Sequence, residues 1–78
     1  MTSKLWIIDD EESIRTICKS ALEQDFDIEM FPNASEALLA LNTSVPDLII
    51  TDIKMPGMNG IDFLNKVSVQ HPDIPTIV

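Results

Sequence analysis

A chain of 78 residues, 45% of them apolar, is long enough for one small domain with a core and too short for two. Thirteen acidic residues against five basic ones leave a formal charge of −8, which repels phosphate backbones and anionic lipid and argues against nucleic-acid or membrane binding by this piece. Cys18 is the single cysteine, so an internal disulfide and a cysteine-based zinc site are excluded. With no export signal and no run long enough to cross a bilayer, the expected compartment is the cytoplasm.

Leu5-Trp6-Ile7-Ile8 is a continuous apolar run, as in a strand buried on both faces, and it ends at Asp9-Asp10. Trp6 is expected in the core. Glu11 and Glu12 then place negative charge in the first turn of a helix, where the macrodipole favours it. Ile14, Ile17, Cys18, Ala21 and Leu22 follow at helical spacing and predict one apolar face, with Cys18 acting as a small hydrophobe. Phe26, Ile28 and Met30 alternate with Asp27 and Glu29, the period of a strand half open to water near a sheet edge. Asn33 and Glu36 form a plausible capping pair for a second helix, whose apolar face is Ala34, Ala37, Leu38 and Leu41. Leu48-Ile49-Ile50 is a third buried strand running into Thr51 and Asp52. Pro-Gly and Asn-Gly signals between Met55 and Gly60 predict a loop. A third helix from about Ile61 is expected to bury Ile61, Leu64 and Val67 and to end before Pro72, with His71 near its negative end. Ile74 to Val78 opens a fourth strand. Strands alternating with helices through short connections predict an α/β fold: β-α-β-α-β-α-β, a parallel sheet with helices on both faces.

In such a sheet ligands bind beyond the carboxyl ends of the strands, where strand order reverses. Asp9 and Asp10 lie at the carboxyl end of the first strand and Asp52 at that of the third. If those strands are neighbours, three carboxylates meet in one place. A single loop aspartate is more often a cap or turn former, but three together need another account. Two unit charges about 4 Å apart repel by roughly 4 kcal/mol at an effective dielectric near 20, so such a cluster calls for a cation. Few, hard oxygen donors suit Mg²⁺, which keeps several waters and completes its shell with phosphate oxygens. A carboxylate can also attack phosphorus to give an aspartyl phosphate, a reaction that asks mainly for in-line positioning and charge neutralisation. The pair on one loop is expected to hold metal and the lone Asp52 to act as the nucleophile.

Two segments, Ile7-Ile8-Asp9-Asp10-Glu11 and Thr51-Asp52-Ile53-Lys54-Met55-Pro56-Gly57-Met58-Asn59-Gly60, resemble the receiver domain of two-component response regulators. The resemblance implies a flavodoxin-like fold with strand order 2-1-3-4-5, which sets strands one and three side by side. It implies Asp52 as phosphoacceptor, with Mg²⁺ held by Asp9, Asp10 (the more direct ligand of the two), Asp52 and the backbone carbonyl of Lys54. It implies a sensor histidine kinase as phosphoryl donor, docking through the first helix near Ile14, Arg15 and Cys18, and no enzymatic turnover beyond the chain's own phosphorylation and dephosphorylation. Leu5-Trp6-Ile7-Ile8-Asp9-Asp10, Ser13-Ile14-Arg15 and His71-Pro72 are similar to receivers of NtrC-like, sigma-54-dependent activators, and no output domain of that kind lies within the chain.

The family pattern continues beyond Val78 with a Ser or Thr after strand four and a Lys after strand five, so residues 1–78 are expected to be the N-terminal part of a receiver. Such a piece is expected to expose the first helix and the edge of strand four, both invitations to self-association. Phosphatases of the haloacid dehalogenase type also use a strand-end aspartate, but they need a second acid two residues on, where this chain has Lys54. A receiver-like fold that serves only as a protein-interaction module is the remaining alternative.

Overall fold

In a computed structural model that describes residues 3–52 and 60–77, three helices pack on a four-stranded sheet. The elements are β1 (Ser3–Ile8), α1 (Glu12–Leu22), β2 (Phe26–Phe31), α2 (Ala34–Ala40), β3 (Leu48–Thr51), α3 (Gly60–Gln70) and β4 (Thr76–Ile77). All neighbouring strands are parallel and their order is β2-β1-β3-β4, so β1 and β3 are adjacent as expected. The first crossover moves outward from β1 and the second returns past it. Right-handed connections therefore send α1 to one face and α2 to the other, and strand order reverses between β1 and β3.

Side chains alternate across this sheet. Trp6 and Ile8 of β1, Phe31 of β2 and Ile49 of β3 point to the face covered by α2 and α3. There they pack with Ala34, Ala37, Leu41, Phe63 and Val67 into one core. Trp6 is 1% exposed and its ring lies 4.7 Å from that of Phe31, tilted by 59°, a favourable arrangement for two quadrupoles. β2 is an edge strand, and its residues alternate as its sequence does: Asp27 and Glu29 are exposed, while Phe26, Ile28 and Met30 are half-buried.

The expected Asn33–Glu36 capping pair is formed, through one side chain-to-backbone bond and one bond between the two side chains. Asn33 Oδ1 accepts from the Glu36 backbone N–H at 2.9 Å, and Asn33 Nδ2 donates to Glu36 Oε2 at 3.2 Å. An α2 of seven residues has little cooperative stability of its own, so its cap matters. Asn33→Ala is expected to cost about 1 kcal/mol, read as a lower urea midpoint with an unchanged slope.

One expected apolar face is corrected. Ile61 is not buried but 54% exposed, and Phe63, outside the expected face, is 0% exposed. Residues two apart on a helix point about 200° away from each other, so both cannot face the sheet. α3 is rotated to bury Phe63 and Val67, four residues apart on one face, with Leu64 at the border. α1 is exposed as expected, with no residue fully buried: Ile17 is 64% exposed, and Cys18 and Leu22 are half-buried. Leu5 and Ile7, on the face of the sheet opposite the main core, are nonetheless fully covered. β4 begins at Thr76 rather than Ile74, which instead packs against the core from the preceding turn.

Candidate functional site

Each acidic residue is placed by a strand. Ile8 and Thr51 are register partners at the ends of β1 and β3, so Asp9 and Asp52 follow directly on paired residues. The backbone N–H of Asp52 donates to the Ile8 carbonyl at 3.0 Å, and that of Asp9 to the Phe31 carbonyl at 3.2 Å. The two residues thus continue the ladders on either side of β1. Their carboxylates are brought to the crevice by the sheet and not by their own loops.

Asp9, Asp10 and Asp52 each offer an oxygen, and the three oxygens lie within 4.8 Å of one another. Convergence of residues more than forty apart in the chain is the step that sequence spacing alone leaves conditional. The donors are all hard oxygens, and their separation suits a small cation that keeps part of its water shell. The acidic cluster thus offers three ligand atoms for a metal ion, and without one its charges repel.

The turn between β1 and α1 is organised by two further bonds. Asp9 Oδ1 accepts from the Glu11 backbone N–H at 3.0 Å, which commits one oxygen of Asp9 to closing the turn before α1. Arg15 Nη1 donates to the Asp9 carbonyl at 2.6 Å. Asp10, exposed at the tip, takes no hydrogen bond from the described residues. Thr51, the buried polar residue of the region, donates its hydroxyl to the Asp52 carbonyl at 3.2 Å and so keeps its own oxygen satisfied inside the core. Neither this part for Arg15 nor that for Thr51 was read from the sequence. For Arg15 a signal existed, since a cation in the first turn of a helix opposes the macrodipole and calls for a nearby acid. Lys54, with its carbonyl, and the Met55–Asn59 part of the predicted loop lie outside the described residues.

Strand reversal beside β1 and a carboxylate cluster at that reversal define a flavodoxin-like α/β domain with an acidic site at the carboxyl ends of its strands. The chain belongs to the response regulator receiver domain family, whose model matches residues 5–78. It is 37% identical over 75 residues to the DNA-binding transcriptional regulator NtrC of Salmonella typhimurium, a match covering 95% of this chain and 16% of that protein. It is also 40% identical over 78 residues to a protein-glutamate methylesterase/protein-glutamine glutaminase of Rhodopseudomonas palustris, covering 96% of this chain and 21% of that protein. The fold is similar to that of the chemotaxis response regulator CheY4 of Vibrio cholerae, with a TM-score of 0.91 and 29% identity over 97% of this chain and 66% of that one. The chain thus spans a small part of either curated relative and about two thirds of the chemotaxis protein. The NtrC-like resemblance of residues 5–10, 13–15 and 71–72 agrees with the match to NtrC.

Proposed function

We propose that Asp52 is the phosphoacceptor of a two-component relay and that Asp10 and Asp9 hold the Mg²⁺ that assists it. The observation that carries this reading is the meeting of the three carboxylates at the carboxyl ends of β1 and β3. An oxygen of Asp52 forms the new bond to phosphorus while the bond from phosphorus to its donor breaks. The donor is a phosphohistidine of a sensor kinase, or acetyl phosphate in the test tube. A bound Mg²⁺ supplies neutralisation of the charge on the arriving phosphoryl group. Asp10 is the more direct ligand because its carboxylate is unengaged, whereas one oxygen of Asp9 closes the turn. The chain turns over no separate substrate in this reading, and its compartment is the cytoplasm. No helix of the described residues is long and apolar enough to cross a membrane.

The test is acetyl phosphate with and without Mg²⁺, followed by intact-mass measurement. A Mg²⁺-dependent gain of one phosphoryl group is expected. No gain under conditions where the protein is folded and binds Mg²⁺ would leave the fold without the relay.

A second reading is favoured by one observation: Ile14 and Ile17 on α1 are exposed, as is Ile77 on β4, the outer strand among the described residues. We infer self-association through these surfaces, which would make the chain an interaction module as well. Sedimentation velocity is expected to show concentration-dependent dimers or larger species. A strictly monomeric protein with cooperative unfolding counts against this second reading and leaves the first intact.

A further inference from the structure

The turn between β1 and α1 carries two of the three carboxylates, and the Arg15 side chain ties its backbone to the helix. The Arg15 guanidinium reaches back over the start of its own helix to the carbonyl oxygen of Asp9. That oxygen belongs to the planar peptide unit joining Asp9 to Asp10, so holding it orients both residues at once. The bond is charge-assisted, short and partly buried, which makes it one of the stronger contacts in this part of the molecule. It is also made against a local preference. Arg15 lies in the first turn of α1, at the positive end of the macrodipole, where a cation is disfavoured. The cluster of Asp9, Asp10 and Asp52 just beyond that helix end supplies the negative potential that offsets this.

We propose that Arg15 is a positioning residue for the cation site. It fixes the Asp9–Asp10 peptide plane so that the two carboxylates of the turn meet Asp52. The inference rests on reading those carboxylates as a Mg²⁺ site, and its consequences can be separated from that reading. Removing Arg15 has two physical effects of opposite sign on Mg²⁺ binding. Loss of a positive charge near the site tightens binding through space. Loss of the bond to the Asp9 carbonyl frees the turn and weakens binding, as happens when the outer partner of a ligand residue is removed.

The experiment compares the wild type with Arg15→Met, which keeps the half-buried stem and removes both donor and charge, and with Arg15→Lys, which keeps one donor. Mg²⁺ affinity is measured by calorimetric titration. The Glu11 amide proton, bonded to Asp9 Oδ1, is followed by NMR in metal-free protein. Positioning predicts a Mg²⁺ dissociation constant about tenfold higher in Arg15→Met, with Arg15→Lys recovering to within about threefold of wild type. It also predicts an upfield shift of the Glu11 amide proton in Arg15→Met as its hydrogen bond loosens, with the amides of β3 unmoved. Equal or tighter Mg²⁺ binding by Arg15→Met would overturn the proposal, as would an unchanged Glu11 resonance. If the wild type itself binds no Mg²⁺, the cation reading fails, and the Glu11 resonance alone decides whether Arg15 organises the turn.

Discussion

Replacing Asp52 with asparagine is expected to abolish phosphoryl incorporation while leaving the fold intact. The amide has almost the shape of the carboxylate but lacks the anionic oxygen that attacks phosphorus, so no acyl phosphate can form at this position. The substitution also removes one of three like charges whose oxygens lie within 4.8 Å of one another. Mg²⁺ is expected to raise the thermal midpoint of the wild type more than that of Asp52→Asn, because the wild type is stabilised by binding an ion that the variant holds less well. Intact-mass measurement after acetyl phosphate treatment, paired with thermal unfolding with and without Mg²⁺, checks both outcomes. Undiminished labelling of Asp52→Asn would place the acceptor elsewhere and sink the reading of the site.

The largest effect on stability is expected at Phe63. Its ring is fully enclosed by the core that joins α2 and α3 to the sheet. Truncating a buried Phe to Ala costs about 3–5 kcal/mol, part of it lost transfer energy and part the cavity left behind. Domains have only roughly 0.05–0.15 kcal/mol of stability per residue, so a small one stands to lose much of its total. Phe63→Ala is expected to lower the thermal midpoint by at least about 12 °C, or to leave the protein unfolded. Ile61→Ala, one helical face away and largely in water, is expected to stay within about 0.5 kcal/mol of wild type. Circular dichroism of the pair through urea or heat decides between them. A larger loss at Ile61 than at Phe63 would mean that α3 packs through the other face.

The contrast between these two residues shows where local pattern stops being informative. From Gly60 to Gln70 the apolar residues Ile61, Phe63, Leu64, Val67 and Val69 admit more than one stripe at helical spacing. Choosing among them requires the rotation of the helix about its axis, which is set by the sheet it lies on. β2 presented no such ambiguity. Its strict alternation identifies both its type and its place at an edge, because an interior strand of a parallel sheet is covered on both faces. The Asn33 cap was equally legible, since both partners lie within one turn of each other. α1 lies between these cases: its periodicity identifies the helix, yet Ile17 on the expected face remains exposed.

The site divides in the same way. Residue types and order were enough to name Asp9, Asp10 and Asp52, to expect a hard cation, and to single out Asp52 as the lone acid. These are properties of the chemical groups and of strand ends, and they need only short-range pattern. That the three oxygens come together depended on β3 returning beside β1 in register, Ile8 against Thr51, and no local signal carries a register between segments forty residues apart. The engagement of Asp9 with Glu11, and the reach of Arg15 back to the Asp9 carbonyl, likewise emerged only in three dimensions. Sequence by itself determined the elements, their order and the chemistry available. Tertiary structure decided which groups meet, because meeting depends on crossover handedness, strand register and helix rotation, all of which are settled by packing.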